Sequence, residues 1–214
     1  MRIPLFWFDR VGKKDKDSLG TELAEFVSTI TDPLLITIVT LLVILKSISM
    51  TFKEATFWFL LVMGISIVPT ALYIFRGMKK GVIHDWFISE RKERYKVLLV
   101  GMLSLLVLNL ILLGLSAPSL LLVFGQTAFL LGLFLSLTTL FWKVSFHSSF
   151  FTFFCASLVG LFGMKLAWLF IFLPLVGWAR TKLKKHTWGQ VIVGALMSLL
   201  ITWLVFKMYN YVGI

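Results

Sequence analysis

The sequence predicts an all-α integral membrane protein, a bundle of six to seven transmembrane helices. Of its 214 residues 59% are hydrophobic and only 14% charged, with a mean hydropathy of +0.95. A water-soluble domain with so little polar surface would expose large apolar patches, so the solvent for most of this chain is lipid. The apolar residues also run continuously rather than alternating, which excludes the strands of a membrane barrel and leaves helices.

Each element follows from the spacing of apolar and polar stretches. Residues 3–8 are apolar and aromatic but too short for a signal core, and they read as an interfacial anchor. Residues 10–32 carry Lys13, Lys14, Lys16, Glu22 and Glu25, so the segment 1–32 is expected along the membrane surface, partly helical. A single transmembrane domain is expected over 33–214. Its first two spans cover about 33–49 and 55–75, each close to the ~20 residues that cross a ~30 Å hydrocarbon layer. Polar residues 76–96 follow. The apolar block 97–142 is too long for one span, and Ala117-Pro118 divides it. Residues 150–178 form a second block, which Gly160, Gly163 and Lys165 split into two shorter helices. The last helix covers about 188–205 and ends at Lys207, Tyr209 and Tyr211. This gives seven apolar segments, or six if the short pair is one bent element.

The net charge of +11 fits either nucleic acid or anionic lipid heads, and in so apolar a chain it selects lipid and excludes nucleic acid. The single Cys155 excludes a disulfide framework. With seven spans, the N-terminus and residues 76–96, 143–147 and 180–190 share one membrane face. That face holds 17 of the 21 Lys and Arg residues and all three histidines, His84, His147 and His186. The positive-inside rule places it in the cytoplasm of a cell membrane.

The densest charge lies at Arg180, Lys182, Lys184, Lys185 and His186, and no acid follows Glu93. Such a field needs a partner, and a phosphate group is the first candidate. If the last helix begins near Lys185, His186 and Gln190 share a face, and the amide can set the imidazole tautomer. Ser145, Ser148 and Ser149 are N-cap types beside His147, at a helix start able to receive an anion. His84, Arg91 and Arg94 form a third cluster, in which the guanidinium fork suits phosphate. Each cluster alone also reads blandly, as a snorkelling basic loop, an ordinary helix cap and a solvated charged loop.

Together the clusters resemble the type 2 phosphatidic acid phosphatase superfamily, whose motifs are Lys-x6-Arg-Pro, Pro-Ser-Gly-His and Ser-Arg-x5-His-x3-Asp. The corresponding residues are His84-x6-Arg91-Lys92, Val144-Ser145-Phe146-His147 and Ala179-Arg180-x5-His186-x3-Gln190. The similarity covers about residues 76–205, and the third motif is its most specific part. The chain departs from the pattern at His84, where lysine is expected, at Val144 and Phe146, and at Gln190, where the family has aspartate.

The resemblance implies a metal-independent lipid phosphatase without a cofactor, acting on a lipid phosphate monoester or an isoprenoid diphosphate. His186 is then the nucleophile that becomes phosphohistidine, His147 the acid and then the base, and Gln190 the residue orienting His186. Arg91 and Arg180, with His84, Lys80 or Arg94, hold the phosphate oxygens, and Ser145 donates a hydrogen bond to one of them. Three rival readings differ in class. A relative that binds lipid or a partner without hydrolysis fits Gln190. A small-solute transporter needs mid-membrane ionisable groups, which the chain almost lacks. A metal site would use the three histidines with Asp85.

Overall fold

A computed structural model describes residues 18–83 and 91–211, with side chains for 19–83 and 95–211. The interfacial anchor expected at 3–8 and the lysines at 13, 14 and 16 lie outside the described residues. Among the described residues there are helices and no strand. In chain order they are α1 (Ser18–Ile30), α2 (Pro33–Ser47), α3 (Phe52–Lys79), α4 (Arg91–Gly114), α5 (Ser119–Phe141), α6 (Phe146–Phe162), a 3-10 helix (Met164–Phe172), α7 (Leu173–Lys182) and α8 (Trp188–Met208).

Local chemistry sets the boundaries. Asp32 caps α2 by accepting from the N–H groups of Leu34 at 2.9 Å and Leu35 at 3.4 Å, and Pro33 occupies the first turn, where its missing N–H costs nothing. Thr51 and Glu54 form a capping box on α3. Pro118 separates α4 from α5, as expected from the sequence, and Gly163 ends α6 at φ 88°, a conformation that favours glycine. The last helix begins at Trp188, with Thr187 as its N-cap, and not near Lys185, because Thr187 and Gln190 make a capping box there.

Five helical segments are long and apolar enough to cross a membrane: α3, α4 from Tyr95, α5, the 3-10 helix joined to α7, and α8. The pair α1 and α2, bent by 43°, makes a sixth if counted as one broken span, and α6 is a shorter apolar helix. The nine-residue 3-10 stretch has a physical role. It rises faster per residue than an α-helix, so residues 164–182 reach roughly 33 Å where 19 α-helical residues reach about 28 Å. Lys165, Trp168 and Ile171 form its exposed stripe at a spacing of three, as three residues per turn requires.

α6 and α8 form the closest pair in the bundle, and small residues make the approach feasible. Ser148 Oγ donates to the carbonyls of Ser145 and Val191, both at 3.0 Å, and Ser198 Oγ donates to Ser149 O at 2.6 Å. Gly194 faces Ser149 and Ser145 so closely that no side chain fits between them. α8 also packs on α5, α4 on α5, α3 on α4, and α2 against α6. Asn109 joins α4 to α5 by donating to Gly125 O at 3.0 Å. Leu121, Leu131, Phe124, Phe153 and Phe206 are buried at the centre. The N-terminal segment does more than lie along the surface: α1 packs on α7, burying Ala24 and Val27 against Ala179.

Candidate functional site

The site is built where α6, α7 and α8 meet at one end of the bundle. α7 ends with Lys184 at φ 53°, and the N–H groups of Lys185 and His186 both donate to the Arg180 carbonyl, at 3.0 and 3.2 Å. This left-handed cap folds the chain back on itself. It returns His186 to the level of Arg180, which is the physical content of the five residues between them.

Gln190 then sets the state of His186. Its Oε1 accepts from the Thr187 backbone N–H at 3.2 Å and lies 3.1 Å from His186 Nδ1. A backbone N–H can only donate, so the amide atom at that point is the oxygen. The imidazole nitrogen facing it must carry the proton, and Nε2 therefore holds the lone pair. His186 lies before the helix rather than in its first turn. The contact arises from the capping box, not from two residues on one helical face.

Ser145 caps α6 by accepting from the Ser148 N–H, and its own N–H donates to the Gln190 carbonyl at 3.2 Å. The residue is wholly buried in the α6–α8 seam. Whatever it donates to a phosphate, it ties the first turn of α6 to that of α8. This tie brings His147, on the first turn of α6, within electrostatic range of His186 and Arg180. Lys143 Nζ donates to Lys185 O at 2.7 Å, joining the two loops from outside.

Two residues enter that the motifs did not indicate. Ser28 of α1 lies between the main actors: Arg180 Nη1 donates to its Oγ, and the same Oγ is 3.4 Å from His147 Nε2. Asp32, the cap of α2, interacts electrostatically with Arg180. The basic loop was expected to find no acid within its own half of the chain, and the acid comes from the other end of the sequence. The sequence signal that could have pointed to Asp32 is its place as an N-cap residue before Pro33. Arg180 Nε is buried and has no hydrogen-bond partner among the described residues.

His147, His186, Arg180 and Gln190 are thus brought together. Lys80 caps α3 and is exposed. His84 and the side chains of Arg91 and Arg94 lie outside the described residues, so the first motif has no described geometry. Among the described residues no three of His, Cys, Asp and Glu are grouped as metal ligands, and His84 and Asp85 are not among them. Compared with family models, curated proteins and solved structures, the chain matches none.

Proposed function

We propose that this membrane protein is a lipid phosphate phosphatase of the type 2 phosphatidic acid phosphatase kind, working through a phosphohistidine. The observation that carries the reading is Gln190 Oε1, held by the Thr187 N–H and facing His186 Nδ1 at 3.1 Å. It supports a nucleophilic Nε2 on the residue that stands six positions after Arg180. In the first step Nε2 forms a bond to phosphorus as the bond to the lipid oxygen breaks. Burial and the charges of Arg180 and His186 lower the His147 pKa to about 3, so His147 takes up a proton when the phosphate dianion is bound beside it and then gives that proton to the leaving oxygen. In the second, water attacks phosphorus, His147 takes a proton from it, the N–P bond breaks and phosphate leaves. Arg180 neutralises the equatorial oxygens, with Arg91 and His84 from the first motif and Lys80 or Arg94 in place of its missing lysine. The acyl or prenyl tail stays in the apolar layer, which accounts for an enzyme built into a membrane. The charge distribution favours the cytoplasmic face of the cell membrane for the site.

Phosphate release from purified protein, offered phosphatidate, phosphatidylglycerol phosphate, an isoprenoid diphosphate and a lipid A phosphate, tests the reading. At least one is hydrolysed, the activity survives thorough chelation, and His186→Ala abolishes it while the protein still elutes as a folded species. A folded His186→Ala protein turning over at the wild-type rate overturns the proposal. The neutral amide of Gln190, which cannot stabilise an imidazolium by charge, favours a second reading: a relative that binds lipid phosphate without cleaving it. Saturable binding with no release from any of the four lipids selects that alternative.

A further inference from the structure

Ser28 links α1 to the proposed phosphate site by a polar latch. Ser28 Oγ stands where Arg180 Nη1 and His147 Nε2 converge. A bound phosphate must bring an oxygen to that same point if Arg180 is to neutralise it and His147 is to protonate the leaving oxygen beside it. Two oxygens cannot share the position. A charged phosphate oxygen makes the stronger hydrogen bonds of the two, because bonds to ionised partners are roughly twice as strong as neutral ones.

The rest of α1 is built to move. Beneath it Ala24 and Val27 are buried against Ala179, with Trp178 and Leu183 partly buried against them, so the contact is non-directional apolar packing that can part and re-form. On the opposite side Leu19, Leu23, Phe26 and Ile30, spaced by four, three and four, form an exposed apolar stripe that belongs in lipid whether or not α1 is docked. The chain bends by 43° between α1 and α2. At that bend Asp32 is occupied in capping α2, so α2 keeps its own start when α1 swings. We propose that α1 is a lipid-facing lid, latched by Ser28 in the place of a phosphate oxygen, and that a lipid phosphate enters from the bilayer by displacing it. This inference rests on the phosphate site proposed above.

A reversible lock tests it in the full-length protein with Cys155, its only cysteine, changed to alanine. Ala24→Cys and Ala179→Cys together place two thiols in the buried patch beneath the lid. Phosphate release should fall at least roughly tenfold on oxidation, the loss expected when one bond to a charged group is denied, and return with dithiothreitol. Equal rates for fully cross-linked and reduced protein overturn the lid. A second arm separates this failure from failure of the phosphatase reading. Ala24→Cys alone, buried under α1, is labelled with a soluble maleimide with and without orthovanadate, a phosphate mimic that needs no turnover. Labelling severalfold faster with orthovanadate, and faster without it when Ser28→Ala is added, supports the lid even in a protein that hydrolyses nothing. Labelling rates indifferent to both changes overturn it.

Discussion

An alanine at position 194 would place its Cβ 2.7 Å from Ser149 Oγ, 2.8 Å from the Ser145 carbonyl oxygen and 3.0 Å from Val144 Cγ1. The serine hydroxyl can rotate away at the cost of its bond to Ser145 O, which is 2.8 Å long. The carbonyl cannot, because it is backbone in the first turn of α6. Measured against an ordinary contact of 3.4 Å, α8 has to withdraw by about 0.6 Å. That displacement loads the Ser145 N–H to Gln190 O bond and the Ser148 Oγ to Val191 O bond together. Overpacking of this kind costs about 1–3 kcal/mol, and the better helix propensity of alanine returns up to about 1 kcal/mol. A net loss of about 1–2 kcal/mol corresponds to a fall of roughly 3–8 °C in the unfolding midpoint for a chain of this size. Thermal unfolding in detergent micelles, followed by size exclusion, provides the assay. Gly64→Ala is the control: it carries the same propensity gain, and an added Cβ there meets nothing within 4 Å. Equal midpoints for the two variants would refute the claim that the α6–α8 seam is closed at Gly194. Activity should follow stability in this case, since the same seam holds His147 beside His186.

Gln190→Leu removes the acceptor for both the Thr187 N–H and His186 Nδ1–H. It is expected to lower kcat about 10- to 100-fold, the scale of a lost orienting bond in the transition state, whereas Gln190→Glu keeps both acceptors and retains far more activity; a Leu variant as fast as the Glu variant argues against tautomer control. His147→Ala should slow substrates with poor leaving groups more than those with activated ones, such as a nitrophenyl phosphate ester, and an equal loss on both removes its role as the acid. Lys184, exposed and held at φ 53°, is in a backbone region that costs a non-glycine residue roughly 1 kcal/mol, so Lys184→Gly should raise the unfolding midpoint with phosphate release unchanged; a lower midpoint means the lysine side chain contributes more than its backbone costs.

Much of the fold was legible because its causes are local. Apolar run length gave the segments, Ala117-Pro118 gave the break between α4 and α5, and Gly163 gave the end of α6. The candidate site was only partly legible. Arg180, His186 and Gln190 lie within eleven residues, and their relation is decided by one left-handed cap and one capping box. The start of α8 near Trp188 was legible, but the alternative start near Lys185, on which the His186–Gln190 face depended, was not excluded because Lys185 and His186 look as helical as Trp188 in composition. Thr187 with Gln190 three residues on was the signal that would have excluded it. The family resemblance assigns Ser145 to phosphate, and nothing in its neighbours reveals that Gly194, 49 residues away, packs against it.

By itself, the sequence determined the solvent of this protein, its helical class and the approximate limits of its spans. These follow from hydrophobicity, charge and hydrogen bonds between residues no more than a few positions apart. Only the tertiary structure decided that α6 and α8 close on small side chains, that Asp32 answers the charge of Arg180, and that Ser28 stands between Arg180 and His147. Ser28 and His147 are 119 positions apart, and Ser28 and Arg180 are 152. The physical reason is that such contacts depend on which helix faces bury each other, and helices made almost wholly of Leu, Phe, Ile and Val carry no strong polar face to announce the choice. In lipid the packing is selected by shape and a few serine hydrogen bonds, and those emerge only when the helices are assembled.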